Sequence, residues 1–358
     1  MSVLRINGMI TSVFLIVLWS CNKGGSVVIV PKEPPVDTIP VPPPPPPPPT
    51  VPFVDHWVKV ADSLTNGQFK KYIGALEYQG KLLFVAMHQV SSGARFGVYQ
   101  YDTTSRIIST LGVVSSAFGE YSPSIFLVQD NLYLHSLINS TANVLRAFNL
   151  TSYTWTQKTP ITFYTTVPVL KMTSFSIGNF GYTYYNYGGS IASHNIYRYD
   201  PSTDKWSIAA SGLLSSVSLG AVAVTTGAKS YLMGSTSKLY EFNADSSKMI
   251  SLAPFPAYCF YPYSFILVDQ MHVGGGGDFS VGMTPPGDTI TSSTITNRHW
   301  IYSLSKNTWT EHDRFTGSKR TEAIGFTYNG VGYVLGGRVI DSVTKKAVYI
   351  FDLWKYKP

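Results

Sequence analysis

A short pattern of strand, turn and bulky residue recurs along the chain and constrains the fold more than any other feature. In residues 196–206, IYRYDPSTDKW, an alternating aromatic strand ends at Tyr199, the turn residue Asp200 follows, and Trp206 stands six positions later. Aromatic and β-branched residues favour strands, and Asp or Asn can hydrogen-bond its own turn. The same spacing recurs at Tyr101/Asp102/Ile108, Phe148/Asn149/Trp155, Phe242/Asn243/Met249 and Tyr302/Ser303/Trp309. These copies predict a protein built of repeated β-units.

The two ends of the chain indicate that the repeats close into a ring. A sixth copy is predicted to begin at Phe351 and Asp352, and it reaches Pro358 without its bulky residue. Residues 56–64, HWVKVADSL, supply a tryptophan and then a strand, with no aromatic and turn residue before them. Because ring closure removes exposed strand edges, we predict that the N-terminal strand completes the last unit.

The spacing of the repeats and their glycine pairs indicate that the chain resembles a known protein family. Successive bulky residues are separated by 43 to 60 positions, and glycine pairs occur at Gly188–Gly189, Gly274–Gly275 and within GYVLGGR, residues 332–338. Two units lack the pair and are degenerate. On these marks the chain resembles the kelch-repeat β-propellers of Bacteroidetes-type lipoproteins. The resemblance covers residues 54–358 and implies an all-β fold, a six-bladed kelch-type β-propeller whose last blade is closed by the N-terminal strand.

The N-terminal region predicts export and anchoring. Residues 1–20 carry one charge and a short apolar run, which is typical of a signal peptide, and Leu18-Trp19-Ser20-Cys21 resembles a bacterial lipobox. An ordinary signal peptide with a chance cysteine is the alternative. Residues 21–53 include eight consecutive prolines, Pro42 to Pro49, and predict a polyproline tether. We therefore predict an outer-membrane lipoprotein with its lipid on Cys21, facing either the periplasm or the surface.

Candidate ligand-binding residues come from two kinds of loop that share one face of a propeller. One kind joins the second and third strands of a blade, and the other joins one blade to the next. The loop 274–300 is long enough to be functional or disordered. The connection 253–265 is rich in aromatic residues and predicts a sugar-stacking platform, unless its alternate residues belong to the next strand. The candidates are Lys71, Tyr121, Tyr164, Tyr258, Phe260, Tyr261, Asp278, Arg298, Trp300 and Arg320.

Charge and motif content narrow the function classes. The net charge is +7, and Lys70-Lys71 and Lys319-Arg320 fall in loops between blades, where they would attract acidic sugars or anionic peptides. Scattered, solvated lysines that only keep the protein soluble are the alternative, and nucleic acid would need a denser basic stripe. The seven histidines show no metal-ligand spacing, and there is no nucleophile elbow or phosphate loop. We therefore predict no catalytic residues, no metal and no cofactor.

Three functions stay open at this point. The preferred one is a monomeric binding module that recognises a glycan or an envelope protein through the loop face. A resemblance to the periplasmic kelch sialate mutarotase implies an enzymatic alternative, acid-base chemistry on an acidic sugar, for which Arg320 and Glu322 are candidates. A structural interaction protein of the envelope is the third. The copper chemistry of galactose oxidase, another kelch propeller, is rejected because no tyrosine-histidine set matches its site.

Overall fold

The structure, a computed structural model, describes residues 55–358 except 66–68, 91–92, 117–119, 140–141, 163–168, 188–193, 214–221, 234–236, 258 and 278–294. These residues belong to a compact unit, Pro52–Pro358. Within the described ranges no helix has the length and hydropathy of a membrane span. The predictions for the signal peptide, for Cys21 and for the proline-rich tether lie outside the described residues.

Antiparallel hairpins build the described part of the chain into six four-stranded sheets, each a blade. Blade 1 contains β2 (Phe69–Tyr78), β3 (Lys81–Val90), β4 (Gly93–Tyr101) and β5 (Ile108–Ser116). Blade 2 contains β6 (Tyr121–Val128), β7 (Asn131–Leu137), β8 (Asn143–Asn149) and β9 (Thr154–Lys158). Blade 3 contains β10 (Val169–Ile177), β11 (Phe180–Tyr187), β12 (His194–Asp200) and β13 (Lys205–Leu213).

The remaining blades follow the same order. Blade 4 contains β14 (Val222–Thr226), β15 (Lys229–Met233), β16 (Leu239–Asn243) and β17 (Lys248–Ser251). Blade 5 contains β18 (Tyr263–Leu267), β19 (Gln270–Gly274), β20 (His299–Ser303) and β21 (Thr308–His312). Blade 6 contains β22 (Ile324–Tyr328), β23 (Val331–Ile340), β24 (Ala347–Tyr356) and β1 (Trp57–Ala61).

The six blades form a closed ring. The inner strands β2, β6, β10, β14, β18 and β22 each contact the inner strand of the next blade, and β22 contacts β2 to complete the circle. The outermost strand of blade 6 is β1, which pairs with β24. The predictions of an all-β six-bladed propeller and of closure by the N-terminal strand are therefore confirmed.

The sixth copy of the repeat begins later than the sequence suggests. In β1 and β24, Trp57 lies opposite Tyr356, just as Trp206 lies opposite Tyr199 in blade 3. The prediction that Phe351 and Asp352 start this copy was wrong, because the strand runs on through both residues. Asp352 heads no turn and is instead buried within β24.

The predicted turn role of the other Asp and Asn residues is confirmed. Their side-chain oxygens accept hydrogen bonds from backbone N–H groups two or three residues later at 2.8–3.1 Å. The donors are Thr104 and Ser105 to Asp102, Thr151 and Ser152 to Asn149, Ser202 to Asp200, and Asp245 and Ser246 to Asn243. These local bonds fix the hairpins that join the third and fourth strands of blades 1 to 4.

The repeated tryptophan joins one blade to the one before it. In blade 3 the Trp206 indole N–H donates to the Thr159 carbonyl at 2.8 Å, just beyond the outer strand of blade 2. Asp204 accepts from the Thr159 N–H at 3.1 Å and from the Tyr199 hydroxyl at 2.5 Å. Blade 5 repeats this arrangement on blade 4 with Trp309, Ala253, Asn307 and Tyr302. The aromatic and turn residues of the repeat are thus structural, as predicted.

A histidine buried between blades 2 and 3 predicts acid sensitivity. His135 is fully buried and bonded to Asn143, Thr183 and the Tyr185 hydroxyl, and burial lowers its pKa to about 4. The unfolded chain protonates this ring near pH 6.5, so unfolding takes up a proton between pH 6.5 and pH 4. Stability contributed by the neutral ring is complete above pH 6.5, and we expect about 3 kcal/mol of it to be lost by pH 4.

Urea unfolding of wild type and His135→Gln across this pH range measures that loss. The wild-type free energy of unfolding should fall more steeply with acidification than that of the variant, by about 1.4 kcal/mol per pH unit. Parallel pH profiles for the two proteins would contradict the assignment.

Candidate functional site

A cavity of about 190 Å³ opens on the axis of the propeller, at the end where the inner strands begin. Every blade contributes to its wall, which places it at the centre of the ring. The lining residues are Lys71, Tyr72, Ile73, Ser122, Pro123, Ser124, Met172, Thr173, Val222, Tyr261, Pro262, Glu322, Ala323 and Ile324. We call this cavity the axial mouth. It lies on the face to which the sequence assigned the candidate loops.

The acidic residue of the axial mouth is held in place by two neighbours. The Tyr349 hydroxyl donates to Glu322 Oε2 at 2.7 Å, and Arg338 Nη1 lies 3.6 Å from Oε1. Burial raises the pKa of Tyr349, and the Glu322 charge adds to this effect. The phenol therefore stays protonated and keeps donating. Glu322 remains a quarter exposed, so part of the carboxylate is accessible from the cavity.

Among the described lining residues, Lys71 is the one that supplies an amine beside this carboxylate. Lys71 lies near the start of β2 and lines the cavity. Burial lowers the pKa of its ammonium, and the charges of Lys70 and Arg338 act in the same direction, whereas the Glu322 carboxylate opposes them. An amine with a lowered pKa beside a carboxylate can bind an anion or exchange a proton with a ligand.

Backbone conformation at the mouth is unusual and repeated. Ser122, Tyr261 and Glu322 have φ angles of 48°, 53° and 56°, in the left-handed region that side chains other than glycine seldom adopt. All three lie six residues before the end of an inner strand. The Glu322 N–H donates to the Tyr261 carbonyl at 2.9 Å, which ties two of these positions together. Such conformations concentrate at functional sites because the surrounding structure must impose them.

Lys71 and Tyr261 are the predicted binding residues that the structure brings together. Phe260 is buried and forms a β-bridge with Gly277 instead of exposing its ring. Tyr121 is partly exposed and packs with Leu137 against the core between blades 2 and 3. Tyr164, Tyr258, Asp278 and Cys21 lie outside the described residues.

The sequence analysis predicted that Arg320 binds the ligand, but Arg320 does not line the axial mouth. Its side chain is fully buried and forms a bidentate ion pair with Asp352, with N–O distances of 2.7 and 2.9 Å. It also donates to the Gly336 carbonyl at 2.8 Å and lies over the Phe315 ring. The structure therefore gives Arg320 a packing role and leaves it no surface for a ligand.

Trp300 lies on β20, the third strand of blade 5, and Arg298 directly precedes this strand. Neither residue lines the axial mouth. Arg298 makes a bidentate ion pair with Glu311 at 2.7 and 2.8 Å and stacks on the Trp300 ring. Trp300 in turn packs edge-on against Phe255. This group is a partly exposed surface cluster and shares no lining with the axial mouth.

Sequence reasoning did not single out Arg338 and Tyr349, the two residues that orient Glu322. Both lie inside strands of blade 6, where arginine and tyrosine are ordinary occupants of a half-exposed strand face. Only the register between β23 and β24, in which Arg338 pairs with Tyr349, brings them together. A possible signal was Glu322 itself, a carboxylate that needs partners where the chain turns towards the axis.

The six sheets and the central mouth define the chain as a six-bladed β-propeller with a polar cavity on its axis. No family model matches the chain, and no curated protein sequence matches it either. Among solved structures, one described as "Structure of YjhT" is similar, with a TM-score of 0.60 at 14% sequence identity over 82% of this chain and 96% of that chain. At that identity the likeness supports the fold alone.

Proposed function

We propose that this chain is a binding module of the bacterial cell envelope that recognises an acidic glycan in the axial mouth. The observation that carries the proposal is the pairing of a partly buried amine, Lys71, with an oriented carboxylate, Glu322, in a cavity that all six blades line. Sugar recognition commonly needs such polar groups set in a rigid, partly apolar wall.

The charges of the mouth favour an anionic ligand. Among the described residues, the positive charges of Lys71 and Arg338 lie near the carboxylate of Glu322, and the exposed Lys70 adds further positive charge. Tyr261 offers both a hydroxyl and an apolar ring, the combination that stacks on sugar rings. The volume of about 190 Å³ is below the roughly 300–1,000 Å³ of pockets for drug-sized ligands. It therefore suits one terminal sugar residue with a carboxylate.

The cellular location of the protein is part of the same proposal. The lipobox-like Leu18-Trp19-Ser20-Cys21 and the proline run Pro42–Pro49 support an outer-membrane lipoprotein, with residues 21–53 as its tether. The aromatic, turn and tryptophan marks support kelch-type repeats. A module of this kind would hold its ligand at the end of the tether.

A direct test measures the binding of sialic-acid-terminated and neutral oligosaccharides to the full chain in detergent. We expect saturable binding of the acidic sugars and a rise in the thermal midpoint. Lys71→Met should weaken binding by about 10- to 100-fold, because a hydrogen bond to a charged group contributes about 1.5–3 kcal/mol. Tyr261→Ala should weaken it as well.

Lys81→Met is the matched control, because Lys81 is exposed at the opposite end of the β2–β3 hairpin. Unchanged affinity in this variant assigns the effect to the mouth. Equal loss in both lysine variants, or binding that Lys71→Met leaves intact, would overturn the assignment. Failure of every sugar to bind would instead favour an envelope protein as the partner.

A second candidate is acid-base catalysis on an acidic sugar, and one observation favours it. The Lys71 amine, whose pKa burial lowers, lines the same cavity as the Glu322 carboxylate, so the site offers one group that can donate a proton and one that can accept a proton. Exchange spectroscopy on the α and β anomers of free sialic acid would separate the two functions. Faster interconversion that is lost in Glu322→Gln indicates an enzyme, and an unchanged rate with retained binding indicates a binding module.

A further inference from the structure

Three metal-ligating side chains meet where the ring closes, although they are far apart in the sequence. His56 directly precedes β1 in blade 6, whereas His312 ends β21 and Asp313 follows it in blade 5. One ligand atom from each lies within 4.8 Å of the others. His56 Nε2 is 3.3 Å from Asp313 Oδ2, and the two imidazole rings are 4.9 Å apart. We call this set the closure cluster.

The hydrogen bonds of His56 leave a lone pair directed at a carboxylate. His56 Nδ1 lies 2.7 Å from the Lys357 carbonyl oxygen, which can only accept, so Nδ1 carries the hydrogen. In the neutral ring, Nε2 is then an acceptor that faces the Asp313 oxygen, which is another acceptor. Two acceptors at 3.3 Å are favourable only when a cation stands between them, either a proton or a metal ion.

One ring nitrogen of His312 has no hydrogen-bond partner among the described residues. His312 Nδ1 is shielded from solvent and has no hydrogen-bond partner, which is costly for a polar atom unless something binds it. A backbone carbonyl that holds the far nitrogen of a ligating histidine, as Lys357 holds His56, is the usual outer-shell arrangement of metal sites. Two imidazoles and one carboxylate suit zinc and its neighbours among the divalent transition metals.

We propose that His56, His312 and Asp313 bind a divalent transition-metal ion, with zinc as the reference, which links the closing N-terminal strand to blade 5. A tetrahedral zinc ion about 2.1 Å from each ligand sets its ligand atoms about 3.4 Å apart. The atoms now lie within 4.8 Å of one another, so the widest pair must approach by up to about 1.4 Å. The His56 and Asp313 side chains are 20% and 35% exposed. They therefore have room to make this movement, and water can complete the coordination shell.

The site would stabilise the ring without taking part in ligand recognition. Antiparallel pairing with β24 holds β1 in blade 6. An ion bound by His56 would add a link from β1 to the neighbouring blade 5. An ion that binds the folded chain alone shifts the unfolding equilibrium towards the folded state. The closure cluster shares no residue with the axial mouth, so the two proposals stand independently.

Calorimetric titration of the untagged full chain with zinc sulfate tests the proposal. We expect one saturable site and a rise in the thermal midpoint of about 5 °C when zinc is in hundredfold excess over the dissociation constant. Cobalt(II) in place of zinc should give the absorption bands of a four-coordinate site with nitrogen and oxygen ligands. Chelation should reverse both effects.

Two ligand variants and one control make the outcome decisive. Asp313→Asn changes few atoms and should weaken zinc binding at least tenfold, and His312→Phe, which keeps a ring of similar size, should abolish it. Asp269→Asn removes an exposed carboxylate elsewhere in blade 5 and should leave binding unchanged. The absence of a saturable site, or equal affinity in Asp313→Asn and wild type, would overturn the proposal.

Discussion

Replacing Arg320 by alanine is expected to lower the free energy of unfolding by about 3–5 kcal/mol, because it leaves the Asp352 carboxylate buried without its partner. The Arg320 side chain is 0% exposed and that of Asp352 is 10% exposed. The change also removes the hydrogen bond to the Gly336 carbonyl and the contact with the Phe315 ring. Urea unfolding followed by tryptophan fluorescence measures the loss.

Arg298 provides a matched control for this experiment. It too forms a bidentate pair, with Glu311, but the two side chains are 41% and 39% exposed. Solvent screens such a pair, so Arg298→Ala should cost no more than about 1 kcal/mol. Equal losses in the two variants would contradict a special role for burial.

A double replacement separates the charge from the packing at this position. Arg320→Met combined with Asp352→Leu removes both charges and keeps apolar volume, so it should be less destabilising than Arg320→Ala alone. If the double variant keeps its stability but loses sugar binding, Arg320 contributes to ligand binding after all.

Gly336→Ala is the other substitution expected to have a large effect, about 2–5 kcal/mol of destabilisation. Gly336 has a φ of 57°, and a Cβ there would stand 2.7 Å from a ring carbon of Tyr72 and 2.8 Å from the Ile350 carbonyl oxygen. Alanine would therefore combine backbone strain with a clash between blades 6 and 1. The free energy of unfolding in urea is again the measurement.

Gly80→Ala isolates the backbone part of that cost. Gly80 has a φ of 71°, but no heavy atom lies within 4 Å of the position that its Cβ would take. Its replacement should cost only the strain of the left-handed conformation, about 1–2 kcal/mol. If both alanine variants lose the same stability, crowding between the blades contributes nothing at Gly336.

The fold was predictable because its information is local and repeated. Each hairpin carries its own turn acceptor, as at Asp200, and its own bulky residue, as at Trp206, so several copies report the same unit. The start of the sixth copy was misplaced because Phe351 and Asp352 imitate the repeat, and only strand register identifies Tyr356 as the partner of Trp57.

The site was less predictable because it depends on which distant residues meet. Arg320 stands in a basic stretch that looks like an exposed loop, and nothing in the sequence pairs it with Asp352, 32 residues later. Lys71 and Tyr261 were found because the sequence placed them in connections between blades, and both lie within two residues of the start of an inner strand. The histidines of the closure cluster have no recognisable spacing, since His56 and His312 are far apart in the sequence and meet only because blades 5 and 6 are neighbours in the closed ring.

Closure by the N-terminal strand also fixes the order of events during synthesis. The hydrogen bond between His56 and Lys357 joins residues 301 positions apart, so among the described strands β1 is made first and its partner β24 is made last. At about 5–20 residues per second, β1 waits about 15 to 60 s for β24. Blades 1 to 5 can form their hairpins as they are synthesised, but blade 6 can be completed only after β24 has been synthesised. Any translation stop within β24 therefore leaves β1 with an unpaired edge and the ring open.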